Sequence, residues 1–153
     1  MKHPLRALFA PFALGALAAC SASSYQKVPV PSQAVEVSSP SVSRVYVMRL
    51  PQAKGLFRAL RVTEDQHEIG QIGSESYICW EREPGRSLVV VTYEGTALAK
   101  DDRESMIDVQ AEAGQVYYYG ITVDEAWNKA VVRMLDREEA RKILHDLDPA
   151  MMR

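Results

Sequence analysis

Two cysteines and three histidines are all that 153 residues offer in thiol and imidazole chemistry. Two thiols allow at most one bridge, which excludes a disulfide-dense scaffold. The histidines stand at positions 3, 67 and 145, a spacing that provides neither a histidine-rich metal site nor a hydrolytic triad. A basic excess is missing as well. With 18 Lys and Arg against 20 Asp and Glu, the formal charge is −2, and nucleic acid is not an expected partner, because neutralising phosphate requires clustered positive charge. The apolar run at residues 7–19 would make a helix of about 20 Å, too short for a hydrocarbon core of about 30 Å. A permanent transmembrane helix is therefore not expected there. What remains, 47% hydrophobic and 25% charged residues, is the composition of an ordinary globular protein with one core.

The N-terminus is laid out as a secretory leader. Lys2 and Arg6 form a basic start, residues 7–19 an uncharged apolar stretch, and small residues lead into Cys20. Leu17, Ala18, Ala19 and Cys20 resemble the lipobox of bacterial lipoproteins: a branched residue and two small ones before a cysteine. That resemblance implies a diacylglyceryl group on the Cys20 thiol, cleavage between Ala19 and Cys20, and acylation (palmitate or a related chain) of the new amine. Two or three acyl chains, at about 0.8 kcal/mol per buried methylene, make release from a bilayer very slow. Ser21 in place of Asp after the cysteine implies sorting to the outer membrane, facing the periplasm. Cleavage removes two basic residues, leaving 16 basic against 20 acidic side chains, or −4. If Cys20 carries lipid, Cys79 is the remaining thiol and the fold stands without a disulfide. Cys79 lies between Ile78 and Trp80 and reads as a buried small hydrophobe.

From the cysteine to residue 43 the chain is rich in Ser, Pro, Val and Gln, and Pro29, Pro31 and Pro40 interrupt any regular element. Residues 20–43 are thus expected to be the lipidated N-terminus and a flexible tether, with a reach of up to about 70 Å. The valines leave open that part of it adds to a sheet edge.

Short β-prone segments follow at residues 44–50, 57–62, 69–72, 77–82 and 87–93, separated by turn residues such as Pro84-Gly85. Ile107, Val109 and Ala111 alternate with polar neighbours as a half-buried strand, and Ala113-Gly114 turns into residues 116–123. Alternation there puts Tyr117, Tyr119, Ile121 and Val123 on one face, with Tyr118 on the other and expected outside. Asp136 and Glu139 have capping-box spacing, and Ala140, Ile143, Leu144 and Leu147 have helical spacing, so an amphipathic helix is expected over 136–147. The expectation is a mainly β protein of about seven strands with one C-terminal helix, the domain running over residues 44–148 and a tail over 149–153.

Arg-Val-Tyr-Val at 44–47, Pro84-Gly85-Arg86-Ser87-Leu88, and Ala111 to Tyr118 in an Ala-x-x-Gly-x-x-Tyr-Tyr pattern resemble a family of domains of unknown function. These occur in small envelope lipoproteins and look related to PEGA-type surface modules. The resemblance implies an immunoglobulin-like or prealbumin-like sandwich and no catalytic residues. The family pattern has a His two residues after the Pro-Gly pair, where this chain has Ser87, so no role for that His carries over.

Chemistry-bearing residues are sparse. His67 among Asp65, Gln66 and Glu68 reads as a solvated turn residue, and His145 as part of the polar helix face, where its charged form would favour the helix dipole. Asp101, Asp102 and Glu104 lack the glycine and ligand alternation of a calcium loop. Asp124 and Glu125 follow a strand and supply the carboxylates for a hydrolase alternative, although adjacent side chains there point apart. Tyr118 and Trp127 are the candidate binding surface, of a kind suited to a protein or sugar partner. No metal or cofactor is expected. The reading is a membrane-anchored, non-catalytic binding or accessory module for an envelope protein or cell-wall polymer, with a self-associating structural protein as the alternative.

Overall fold

The computed structural model describes residues 37–52, 59–93, 104–124 and 129–150. Nine strands are found among them: β1 (Ser43–Arg49), β2 (Leu60–Glu64), β3 (His67–Ile72), β4 (Ser76–Arg82), β5 (Gly85–Tyr93), β6 (Glu104–Ala111), β7 (Val116–Asp124), β8 (Lys129–Met134) and β9 (Asp148–Pro149), with one helix, α1 (Arg137–Leu144), before the last. They form a five-stranded sheet in the order β8-β7-β1-β4-β9 and a four-stranded sheet in the order β3-β2-β5-β6. The mainly β sandwich with a single C-terminal helix is what the spacing of turns and strands anticipates. Two strands were not foreseen: β8, and the short β9 in what was expected to be helix end and tail.

The sandwich has two cores. Alternation sends Val45 and Val47 of β1 inward against Leu60, Val62, Trp80, Val89, Val91, Val109 and Ile121, where the two sheets face each other. The other face of the same strand, through Tyr46 and Met48, packs with Tyr77, Cys79, Tyr118, Leu135, Ala140 and Leu147 under α1. Hence every residue of β1 is buried, as expected for a central strand covered on both faces.

Turn chemistry fixes the registers. Asp65 and Gln66 both have positive φ, 47° and 71°, the two-residue hairpin turn whose twist suits antiparallel strands. The turn is fastened to β5: the Asp65 amide donates to the Leu88 carbonyl at 2.9 Å, and the Leu88 amide donates to Asp65 Oδ1 at 2.9 Å. Gly114, at φ 75°, makes the β6–β7 turn, where a side chain would strain the backbone.

Two differences at the C-terminus have clear causes. The helix stops at Leu144, with His145 at its C-cap, three residues short of the expectation. Asp148 precedes a proline and is held extended, where it pairs with Ser76 of β4 in parallel. Leu147 is buried nonetheless, and Ala150 also packs inside. At the other end Asp136 Oδ1 accepts from the Glu139 amide at 2.8 Å, but the Glu139 carboxylate does not complete a box. It binds Arg133 of β8 with both oxygens, at 3.0 and 2.6 Å, and so ties the helix to the sheet it covers.

Gly120 lies where Leu50 and Leu135 meet β7. A Cβ there would sit 3.1 Å from a methyl of each. Gly120→Ala is expected to cost about 1–3 kcal/mol through overpacking, read as a lower midpoint in urea denaturation.

Candidate functional site

The described chain enters the domain at one end of the sandwich, and two charged clusters lie there on opposite faces of β4. On the outer face, Arg44 of β1 stands directly across from Glu81. The Arg44 side chain is fully buried, and its Nη2 lies 2.7 Å from Glu81 Oε1. Arg44 Nη1 donates to the Tyr46 hydroxyl at 3.3 Å. The same carboxylate is met by the segment before β1: the Ser38 amide donates to Glu81 Oε1 at 2.6 Å, and the Ser38 hydroxyl donates to Oε2. Burial alone would raise the Glu81 carboxyl; the Ser38 hydroxyl, Arg44 and the Ser38 amide outweigh it and hold the group below the usual glutamate range. For Arg44 burial alone would lower the pKa, and the bonds to Tyr46 and Glu81 turn the net shift upward.

On the inner face, β4 contributes Trp80 and Arg82 to a network with Glu64 of β2 and Ser87 of β5. The indole Nε1 donates to Glu64 Oε2 at 2.8 Å, and the Ser87 hydroxyl donates to Glu64 Oε1 at 2.7 Å. Arg82 Nη1 lies 3.2 Å from Glu64 Oε1 and also donates to the Ser87 hydroxyl. Trp80 and Ser87 are buried. Three donors from two strands converge on one carboxylate, and the arrangement is a polar clamp between the two sheets.

Sequence reasoning missed both clusters. The available signal was charge out of place: Arg44, Glu64, Glu81 and Arg82 all sit within strands, on faces otherwise apolar. What the sequence could not supply was which strands are neighbours.

The structure corrects the placement of Tyr118. It is buried, not outside, stacked on Tyr46 with ring centroids 5.1 Å apart and planes at 23°. Burial raises its hydroxyl pKa, as does the neighbouring Tyr46. Alternation did put it on the face opposite Tyr119, but α1 and Leu135 cover that face too, so Tyr118 cannot form a contact surface. Its proposed companion Trp127, the lipidation residues Ala19 and Cys20, and Glu125 lie outside the described residues. Asp124 ends β7 and is exposed. Cys79 is fully buried beside Tyr46 and Tyr77. His67 opens β3, exposed, with Nδ1 3.1 Å from the Asp65 carbonyl. His145 is exposed, 3.0 Å from Asp146. Asp101 and Asp102 lie outside the described residues, and Glu104 begins β6. Among the described residues no group of three or more His, Cys, Asp or Glu side chains could hold a metal ion. No helix among them is long and apolar enough to cross a membrane.

No protein-family model matches this sequence, and no curated protein is significantly similar to it.

Proposed function

We propose that this protein is an envelope lipoprotein, held to a membrane through lipid on Cys20, whose PEGA-like sandwich is a non-catalytic module that binds an envelope protein or a cell-wall polymer. The observation that carries the proposal is Leu17-Ala18-Ala19-Cys20 placed directly behind a basic and apolar leader. Supporting it, the charged clusters of the domain serve internal contacts: Glu64 accepts from Trp80 and Ser87, and Glu81 from Arg44 and Ser38. Ser21 after the cysteine favours the outer membrane, with the domain in the periplasm.

Metabolic labelling with a palmitate analogue tests the anchor. The wild-type chain is expected to take up label and sediment with membranes, while Cys20→Ala loses the label and moves to the soluble fraction. A wild-type chain without label, together with a Cys20→Ala chain that stays on membranes, would refute it. Crosslinking in intact cells followed by mass spectrometry tests the binding role: a recurrent protein or glycan adduct is expected, and a protein recovered alone under all conditions counts against it.

A further inference from the structure

The stretch expected to be tether does not run freely up to β1. Residues 37–42 are folded onto the end of the sandwich and held at both of their ends. At one end Ser38 gives its amide and its hydroxyl to the two oxygens of Glu81. At the other, the Val42 carbonyl accepts from the Gly114 amide at 2.7 Å, in the turn between β6 and β7. Between these points the segment folds on itself: the Val42 amide donates to the Ser39 carbonyl at 3.2 Å, and the Ser39 and Ser41 hydroxyls lie 2.8 Å apart. Pro40 directs its carbonyl toward Gly114, 3.7 Å from where a Cβ would be. Glu81 is in turn fixed by Arg44, whose side chain is fully buried.

We propose that residues 37–42 are a strap latched by Ser38 onto Glu81, and that this latch sets how far the domain stands from its anchor. The proposal rests on the reading of Cys20 as the anchor. With the strap closed, the linker between the lipid and the folded domain ends before Val37. With it open, six more residues join the linker and add up to about 20 Å of reach. The chemistry makes the latch separable from the fold. Its two Ser38 bonds engage a carboxylate that is 18% exposed, whereas the Arg44–Glu81 pair and the β1–β4 ladder beneath it do not involve Ser38. A partner carrying a backbone amide and a hydroxyl could occupy the same two oxygens and release the strap.

Ser38→Pro removes the amide hydrogen and the hydroxyl together and leaves Glu81 and Arg44 in place. The experiment uses full-length, lipidated protein in vesicles of phosphatidylethanolamine and phosphatidylglycerol, comparing wild type with Ser38→Pro by amide hydrogen exchange. In the wild type, the Gly114 amide is expected to be protected. In Ser38→Pro its exchange is expected to rise tenfold or more, while the amides of β1 and β4 keep their protection. Energy transfer from a dye on Glu138→Cys to a bilayer acceptor is expected to report a longer mean distance in the Ser38→Pro background. Unchanged Gly114 exchange, or unchanged distance, overturns the proposal. Sedimentation with vesicles scores the anchor separately: a chain that fails to sediment refutes the lipid anchor, while the exchange comparison still decides whether the strap is latched. Should the proline alter the ladder amides, Ser38→Ala, which removes the hydroxyl alone, is expected to give a smaller rise in Gly114 exchange. No rise in that variant overturns the latch.

Discussion

Trp80→Ala is expected to destabilise the domain by about 3–5 kcal/mol. The indole is 2% exposed in the middle of β4, packed in the core between the sheets, so truncation leaves a cavity that the surrounding strands can only partly close. It also removes the donor to Glu64 Oε2, leaving a partly buried carboxylate with one partner fewer. Against a typical domain stability of about 5–15 kcal/mol, such a loss brings the variant close to unfolding at growth temperature. Trp80→Phe separates the two contributions: it keeps most of the packing and loses the hydrogen bond, for an expected cost of about 1–3 kcal/mol. Urea denaturation of the three proteins checks both values. Equal midpoints for Trp80→Phe and wild type would show that the inner clamp contributes little.

Glu81→Ala is expected to cost about 3–5 kcal/mol, because it strips a fully buried guanidinium of its carboxylate. Arg44→Met should cost less. It replaces the buried cation by an apolar chain, and the Glu81 left behind is partly exposed and keeps its two bonds from Ser38. The double variant should then cost less than the sum of the two, the coupling expected of groups in contact. The exposed pair Arg86–Asp108, with side chains 76% and 46% exposed, is the internal control: its removal should leave the urea midpoint nearly unchanged, because solvent screens it. The pH dependence has a fixed sign. Glu81 titrates lower in the folded protein than in the unfolded chain, so its contribution is fully present above the unfolded glutamate range and is lost as pH falls through the lowered folded value. Stability measured from neutral pH into that acidic range should drop less in Glu81→Ala than in wild type. A parallel decline in the two proteins would mean that Glu81 is not the group responsible.

Much of the architecture is local information. Pro84-Gly85, Ala113-Gly114 and the alternation of Ile107, Val109 and Ala111 mark turns and strands through backbone preference and side-chain period, and both act over a few residues. Asp136 is read as an N-cap for the same reason, since its partner is the amide of Glu139 only three positions away. By contrast β8 has the short apolar centre Ala-Val-Val between charged residues, which suits a strand or a helix end equally. Its pairing with β7 decides between them. β9 has no period at all. Its two residues are strand only because β4 passes alongside.

The same division runs through the candidate site. The proposal of an anchor at Cys20 rests on a contiguous run, Leu17-Ala18-Ala19-Cys20, a pattern that needs no fold to be seen. The misplacement of Tyr118 has the opposite cause. Period two tells which residues share a face, but not what covers that face, and here a helix supplies a second core over a sheet side expected to meet water. The sequence by itself determined the turns and most strands, and the proposal of a leader and of an anchor at Cys20 rests on it alone. Only the tertiary structure decided that Arg44 lies opposite Glu81, that Ser38 folds back onto it from 43 residues away, and that Glu64, Trp80, Arg82 and Ser87 converge from three strands. Charge pairing of that kind depends on which strands become neighbours, and that is set by the packing of the whole chain.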